Sequence, residues 1–108
     1  MPDLVNVDGA SFPSTVLASA RPVLVDFWSE HCRPCRAMMP MVAALAESYA
    51  DRLDVVKLDV IAEPDVAQRY AVTSMPQFIL FRGGEEVGRV LGTRTRSQFD
   101  DFLDPLLT

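Results

Sequence analysis

The chain has 108 residues, of which 49% are hydrophobic and 23% are charged, and its formal net charge at pH 7 is −5. This length predicts one globular domain over residues 1–108. The acidic balance, without any basic run, argues against nucleic acid as a partner. The apolar runs are too short to span a membrane and Met1 to Thr15 lacks the features of a signal peptide, so we expect a cytoplasmic location and no membrane partner.

Hydrophobic periodicity and turn residues predict elements in the order β-α-β-α-β-α-β-β-α. The predicted strands are Leu4–Val7, Val23–Trp28, Asp54–Val60, Gln77–Arg82 and Glu85–Leu91, with Gly83-Gly84 as the turn of the last hairpin. The predicted helices are a segment capped by Ser11 that ends near Ala20, then Pro34–Ala50, Pro64–Tyr70, and a last helix capped by Ser97. Strands separated by helices imply parallel pairing, and the hairpin implies one antiparallel pair. The fold class is therefore α/β, with a mixed sheet covered by helices on both faces.

The strand Val23–Trp28 is an apolar run that only Asp26 interrupts. Because side chains alternate along a strand, Leu24, Asp26 and Trp28 share one face. A carboxylate inside a buried strand is costly unless it is paired or neutral, so desolvation should raise the pKa of Asp26. The alternative is an aspartate at a frayed strand end, where backbone N–H groups satisfy its oxygens.

Lys57 is a polar interruption in the predicted strand Asp54–Val60. If this strand lies near Val23–Trp28, Lys57 and Asp26 can form a pair. The alternative is a solvated lysine at the edge of the sheet, which is the usual environment of lysine.

The pair Cys32-Arg33-Pro34-Cys35 stands where the second helix is predicted to begin. Proline fits the first turn of a helix, where its missing N–H costs nothing. The helix dipole and the free N–H groups of that turn stabilise a Cys32 thiolate, which is the nucleophilic form of cysteine. Two intervening residues allow a disulfide to form and open, and Cys35, one turn along, should be the more buried of the two.

A metal site is the main chemical rival to redox chemistry at this pair. Zinc takes four ligands, whereas His31, Cys32 and Cys35 are the only histidine and cysteine residues of the chain. One chain therefore cannot complete a Cys/His site, although two chains sharing their pairs would have enough ligands. Methionine also binds soft metals, but at helical spacing the methionines here fit a core and an adaptable contact surface better. We therefore expect no metal.

His31, Arg33 and Arg36 form a basic rim around the cysteines of an acidic protein. One interpretation is that both arginines are solvated and tolerated, because a cation at a helix N-terminus costs under about 1 kcal/mol. The other is that Arg33 stabilises the Cys32 thiolate, which makes the disulfide more oxidising. His31 acts in the same direction when protonated and would serve as a pH-dependent switch near neutrality. The basic rim should weakly favour acidic docking surfaces.

The segment DFWSEHCRPC resembles the active site of the thioredoxin family, whose pattern is D-F-W-A-x-W-C-G-P-C. It departs from that pattern at His31 and Arg33. The resemblance extends over nearly the whole chain, through further matching positions at Pro40, Lys57, Pro76, the Gly83-Gly84 turn and Gly92. It implies the thioredoxin fold, in which a central mixed five-stranded sheet is flanked by four helices.

The resemblance also implies a thiol-disulfide oxidoreductase that reduces protein disulfides through its Cys32/Cys35 dithiol. Cys32 would attack the substrate and Cys35 would resolve the mixed disulfide. Asp26 is the candidate proton acceptor for Cys35, and Lys57 would tune Asp26.

The substrate-binding surface implied by the resemblance centres on Met75-Pro76. The family's proline at this position follows a cis bond, so Met75-Pro76 should be cis and lie beside the cysteines. The Met75 backbone would then be available to pair with an extended substrate chain. The expected substrate-binding residues are Trp28, His31, Arg33, Pro34, Met75, Pro76 and Gly92.

The expected partners are disulfide-containing proteins and a flavoprotein thioredoxin reductase. No cofactor should be bound, because NADPH would act only indirectly through that reductase, and the chain is expected to be a monomer. Two alternatives stay open. Arg33 favours a more oxidising disulfide oxidase or isomerase, and a non-catalytic binding module would use the surface around Trp28, Met75 and Gly92.

Overall fold

The computed structural model describes residues 4–108, which form one five-stranded sheet and its flanking helices. The strands are β1 (Val5–Asn6), β2 (Val23–Trp28), β3 (Asp54–Asp59), β4 (Gln77–Arg82) and β5 (Glu85–Leu91), in the spatial order β1-β3-β2-β4-β5. β3 pairs in parallel with β1 and β2, whereas β4 pairs antiparallel with β2 and β5. The predicted mixed sheet is thus confirmed, with β2 at its centre.

Three α-helices and one π-helical segment flank this sheet. They are the π-helical segment Pro13–Leu17, α1 (Arg33–Ser48), α2 (Pro64–Arg69) and α3 (Arg96–Leu107). Proline stands in the first turn of the π-helical segment, α1 and α2, where its missing N–H has no intrahelical partner to lose. Within residues 4–108, no helix is long and apolar enough to cross a membrane.

Alternation along the strands divides the buried side chains into two clusters, one on each face of the sheet. The cluster that contains Leu24 packs against α1 and α3, through residues such as Met38, Val42, Leu45, Phe99 and Leu103. The cluster that contains Val25 packs against the π-helical segment and α2, through residues such as Phe12, Val16, Val66 and Phe81. β2 is therefore buried on both faces, which explains its nearly continuous apolar sequence. Asp26 shares the face of Leu24, so it lies on the side that α1 and α3 cover.

The first helical segment differs from its prediction, because Ser11 is not its N-cap and it ends at Leu17 instead of near Ala20. Asp8 Oδ1 accepts a hydrogen bond of 2.8 Å from the Ser11 N–H, and Ser11 Oγ accepts one of 3.0 Å from the Asp8 N–H. These two bonds close the turn that precedes the segment, whose N-cap is Phe12, a residue that makes no side-chain capping hydrogen bond. The Ala18 N–H then reaches back five residues to the Pro13 C=O, which makes the segment π-helical.

The prediction that Ser97 caps the last helix is also wrong, because Thr95 caps α3. Thr95 Oγ1 accepts a hydrogen bond of 3.2 Å from the Gln98 N–H, and Gln98 Oε1 accepts one of 2.9 Å from the Thr95 N–H. Gln98, three residues after Thr95, completes this capping box, and Ser97 has no such partner among the residues that the structure describes. Other boundaries shift by one or two residues, as at Leu4–Val7, Pro34–Ala50, Asp54–Val60 and Pro64–Tyr70.

Candidate active site

Cys32 and Cys35 form a disulfide at the N-terminus of α1, with their Cα atoms 5.3 Å apart. Cys32 is the N-cap of the helix, and its Sγ accepts the Cys35 N–H at 3.3 Å. The Cys32 N–H donates to the Ser29 C=O at 3.1 Å, so a tight turn from β2 presents the cysteine. Cys35 is 1% exposed and Cys32 is partly exposed, as the sequence predicted. An N-cap sulfur facing free N–H groups is a setting that stabilises a thiolate.

The first turn of α1 carries only cations among its charged side chains. It contains no acidic residue, and Arg33, Pro34 and Arg36 are all exposed beside the disulfide. His31 is also exposed, and its N–H donates to Ser29 Oγ at 3.2 Å. The predicted basic rim therefore surrounds the more accessible cysteine. α1 continues through Pro40 as one helix from Arg33 to Ser48.

Asp26 is the one carboxylate that the described core buries, at 1% exposure. Its Oδ1 has no hydrogen-bond partner among the described residues. Burial raises the pKa of Asp26 from 3.8 to about 7, and the opposing effect of the Lys57 cation is smaller. The sequence-based expectation of a raised pKa is confirmed, and the alternative of a frayed strand end is wrong because β2 continues to Trp28.

Lys57 lies directly opposite Asp26 in the pairing of β2 with β3. Among the salt bridges within residues 4–108, none joins Lys57 to Asp26. Instead Lys57 Nζ lies 4.7 Å from the centroid of the Trp28 ring, a distance typical of a cation–π contact. Lys57 is thus half-buried beside the site, neither paired closely with Asp26 nor solvated at an edge. Trp28 Nε1 is buried without a hydrogen-bond partner in the described chain.

Met75-Pro76 is a cis peptide bond, as the resemblance implied, and it immediately precedes β4. Gln77 of β4 pairs with Phe27 of β2 on one side and with β5 on the other, so this bond lies near the end of β2 that leads to Cys32. Gly92 donates its N–H to the Pro76 C=O at 2.8 Å. The site residues Trp28, Met75, Pro76 and Gly92 are thereby brought to one end of the sheet.

The backbone of Met75 makes no hydrogen bond to the part of the chain that the structure describes. Within the described residues, neither its N–H nor its C=O takes part in any loop or side-chain bond. Another protein chain that pairs with Met75 would therefore satisfy two backbone polar groups that are otherwise left to solvent.

Three residues near this end of the sheet were missed from the sequence. Arg94 Nη1 lies over Gly92, 3.6 Å from the position that a Cβ would occupy there. Gln77 is 3% exposed, and Arg89 binds its side chain. The one sequence signal for this arrangement was Gln77 at the start of an apolar strand, because a buried amide needs hydrogen-bond partners.

No group of three or more His, Cys, Asp or Glu side chains within residues 4–108 is arranged to hold a metal ion.

The chain is similar to thioredoxins over most of its length. The sequence model of the Thioredoxin family matches residues 3–105. The chain is 38% identical to the thioredoxin of Acidithiobacillus ferridurans over 104 residues, which cover 96% of each protein. It is 41% identical over 93 residues to the thioredoxin of Mycobacterium tuberculosis (strain ATCC 25618 / H37Rv), covering 86% of this chain and 80% of the relative. It is also 41% identical over 93 residues to the bifunctional thioredoxin reductase/thioredoxin of Mycobacterium leprae (strain TN), covering 86% of this chain and 20% of that larger protein.

Proposed function

The chain belongs to the thioredoxin family, and from this premise we propose that Cys32 is the attacking thiol and Cys35 the resolving thiol in the reduction of protein disulfides. The protein is a thiol-disulfide oxidoreductase whose redox centre is the Cys32–Cys35 pair. The electrons that it transfers are therefore carried by its own cysteine thiols and not by a bound cofactor. The observation that carries the assignment is the N-cap position of Cys32, whose Sγ accepts the Cys35 N–H.

In the first step, the Cys32 thiolate attacks one sulfur of the substrate disulfide. A bond forms between Cys32 and that sulfur, the substrate S–S bond breaks, and the second substrate sulfur leaves as a thiolate. The N-terminal N–H groups of α1 stabilise the attacking thiolate before this step.

In the second step, the Cys35 thiolate attacks Cys32 Sγ and displaces the remaining substrate sulfur. The Cys32–Cys35 disulfide forms, so the dithiol loses two electrons and the substrate disulfide becomes two thiols. Cys35 is buried and must lose a proton to react. We assign Asp26 as the acceptor, directly or through a water, because its pKa of about 7 suits proton exchange at neutral pH. Lys57 tunes Asp26 as the neighbouring cation.

The substrate chain pairs with the Met75 backbone in our proposal. The N–H and C=O of Met75 have no hydrogen-bond partner among residues 4–108, which supports this pairing together with the proximity of Pro76 and Gly92. Trp28, His31, Arg33 and Pro34 would complete the contact surface.

We further propose that a flavoprotein thioredoxin reductase returns electrons from NADPH to the Cys32–Cys35 disulfide. The name of the Mycobacterium leprae relative, which joins reductase and thioredoxin in one protein, supports this pairing. A single domain over residues 1–108, a monomeric state and a cytoplasmic location complete the proposal. The family match over residues 3–105 supports the single domain.

The assignment is tested by mixing pre-reduced protein with insulin and trapping intermediates with acid. Cys35→Ser should accumulate the mixed disulfide, and Cys32→Ser should form none. Asp26→Ala should slow the second step more than the first, so that mixed disulfide accumulates transiently. If no mixed disulfide accumulates in Asp26→Ala during a single turnover, Asp26 is not the proton acceptor.

The exposed Arg33 beside Cys32 favours a second candidate, an oxidase or isomerase. Equilibration in glutathione buffers of graded ratio separates the two functions. A reduction potential well below that of the glutathione couple identifies a reductant, and one near or above it identifies the oxidising alternative.

A further inference from the structure

Arg89 of β5 is the centre of a hydrogen-bond network on the sheet face that α2 covers. It pairs with Ile79, whose side chain belongs to the cluster on that face. Glu86 accepts two hydrogen bonds from its guanidinium, at 2.8 Å from Nε and 2.6 Å from Nη2. This bidentate pairing sets the plane of the guanidinium, which fixes the directions of the remaining N–H groups.

Those remaining groups reach two different parts of the chain. Nη1 donates to Gln77 Oε1 at 2.8 Å, and Nη2 donates to the Tyr70 C=O at 2.8 Å. The other end of the Gln77 amide is also used, because its Nε2 donates to the Ser74 C=O at 3.2 Å. Arg89 therefore connects Glu86 to Ser74 through a glutamine that is only 3% exposed.

These contacts converge on the loop of residues 71–76, which joins α2 to β4. Tyr70 is the C-cap of α2 just before the loop, and Gln77 begins β4 just after it. Backbone bonds to α2 hold the start of the loop, from the Ala71 N–H at 3.0 Å and the Val72 N–H at 2.8 Å. Beyond Val72 the loop makes fewer hydrogen bonds to the rest of the described chain. Within the described chain, the bond from Gln77 is the one hydrogen bond made by Thr73, Ser74 or Met75.

We propose that Arg89, acting through Gln77, is a positioning residue that holds the Ser74–Met75 peptide where an extended substrate chain pairs with it. The inference rests on the proposed function, because it requires backbone pairing at Met75. A misplaced loop would weaken the binding of a polypeptide substrate. It would leave attack by Cys32 on a small disulfide nearly unchanged, because such a molecule makes no backbone contact.

The test compares two disulfides, insulin and 5,5′-dithiobis(2-nitrobenzoate), with pre-reduced protein. Arg89→Met keeps a long unbranched side chain and removes all the hydrogen bonds of the guanidinium. Gln77→Glu keeps an acceptor for Arg89 but loses the donor to the Ser74 C=O. We expect each variant to raise the insulin concentration at half-maximal rate roughly tenfold, because small displacements at a binding site have effects of this size. The limiting rate with insulin and the rate with the small disulfide should change less than about twofold.

Arg82→Met is the matched control. Arg82 also donates to a backbone carbonyl at 2.8 Å, but that carbonyl belongs to Leu106 in α3. This variant should lower the melting temperature without changing the ratio of the two activities.

An unchanged ratio in both Arg89→Met and Gln77→Glu overturns the positioning role, provided that the wild type reduces both disulfides. A wild type that reduces only the small disulfide overturns the proposed function, and this inference with it. If Arg89→Met does not fold, the result for Gln77→Glu alone tests the positioning role, because this variant keeps the contact with Arg89.

Discussion

Asp26 is a carboxyl group that the fold buries at a cost to stability. Burial raises its pKa from 3.8 to about 7, so the folded state binds this proton more tightly than the unfolded chain does. Well below pH 4 both states are protonated and this group costs the folded state nothing. As the pH rises from about 4 to 7 the unfolded chain ionises first, and the folded protein loses about 4 kcal/mol relative to the unfolded state.

We therefore predict that Asp26→Asn stabilises the protein at pH 8 by up to about 4 kcal/mol and has little effect at pH 4. Urea unfolding of the oxidised protein at both pH values measures the two differences. Asp101→Asn, at an exposed position in α3, is the control and should show no such dependence on pH. Equal stabilisation by Asp26→Asn at both pH values would contradict the burial argument.

Lys57 shows why Asp26 keeps a raised pKa despite a neighbouring cation. The Lys57 ammonium lies over the Trp28 ring and forms no salt bridge with Asp26 in the described part of the chain. Its Coulombic attraction lowers the pKa of Asp26 less than burial raises it. The result is a carboxyl group that exchanges a proton near neutral pH, which is what a proton acceptor for Cys35 requires.

At the scale of elements, α1 and α3 are joined by the Tyr49 hydroxyl. It lies 2.7 Å from Asp100 Oδ1 and 2.8 Å from Asp104 Oδ1, two carboxylates one turn apart on α3. Arg96 donates to the same Asp100 oxygen at 3.0 Å, which balances part of the negative charge. Burial, together with these hydrogen bonds, raises the pKa of Tyr49 above its usual value. The contact secures the C-terminal end of α1, whose other end carries the disulfide.

Removing this hydroxyl should destabilise the helix pair and leave the chemistry unchanged. We expect Tyr49→Phe to lower the free energy of unfolding by about 1.5 to 3 kcal/mol, the usual value for a hydrogen bond to a charged group. The rate of insulin reduction should not change, because Tyr49 and Cys32 lie at opposite ends of α1. Urea unfolding in a double-mutant cycle with Asp104→Asn isolates the interaction. Strictly additive effects would show that Tyr49 and Asp104 are not coupled.

At the scale of the whole molecule, two of the arginines that lie outside the salt bridges of the described chain, Arg33 and Arg36, stand beside the disulfide. Within residues 4–108, the salt bridges engage Arg21, Arg52, Arg89 and Arg96. Five other arginines take part in none of them, namely Arg33, Arg36, Arg69, Arg82 and Arg94. Arg33 and Arg36 lie in the first turn of α1 and Arg94 lies over Gly92, whereas Arg69 and Arg82 lie in α2 and at the end of β4. In our proposal the substrate docks beside Arg33, so we expect the local cations to favour acidic segments next to the target disulfide, although the protein as a whole is acidic.

We predict that the reduced protein prefers one of two peptides that contain the same disulfide. In the acidic peptide glutamates flank the disulfide, and in the basic peptide lysines flank it. At low salt the acidic peptide should react about three to tenfold faster, and the difference should shrink at high ionic strength. Arg33→Gln and Arg94→Gln should each reduce the preference. Arg52→Gln is the control, because Arg52 lies beyond the C-terminal end of α1. Faster reaction of the basic peptide would mean that the net charge outweighs the local cations.

Signals within short segments were enough to predict much of this protein. Proline before Cys35 indicated a helix N-terminus, the run around Asp26 indicated a buried strand, and Gly83-Gly84 indicated the hairpin. Each signal acts between residues that are close in sequence, so it can be read without knowing the fold. The predicted caps were wrong at Ser11, which bonds to Asp8 in the turn before the first segment, and at Ser97, because Gln98 completes a capping box with Thr95 instead.

The chain by itself therefore determined the fold class, the redox pair and the buried carboxyl group, because alternation and helix periodicity are local properties. Only the tertiary structure decided which distant groups meet. Lys57 contacts Trp28 because β3 pairs with β2. Tyr49, at the C-terminal end of α1, reaches Asp104 of α3. Arg89 reaches Ser74 through Gln77. These contacts join residues that are far apart in sequence, and their geometry depends on strand register and helix packing, which no short segment encodes.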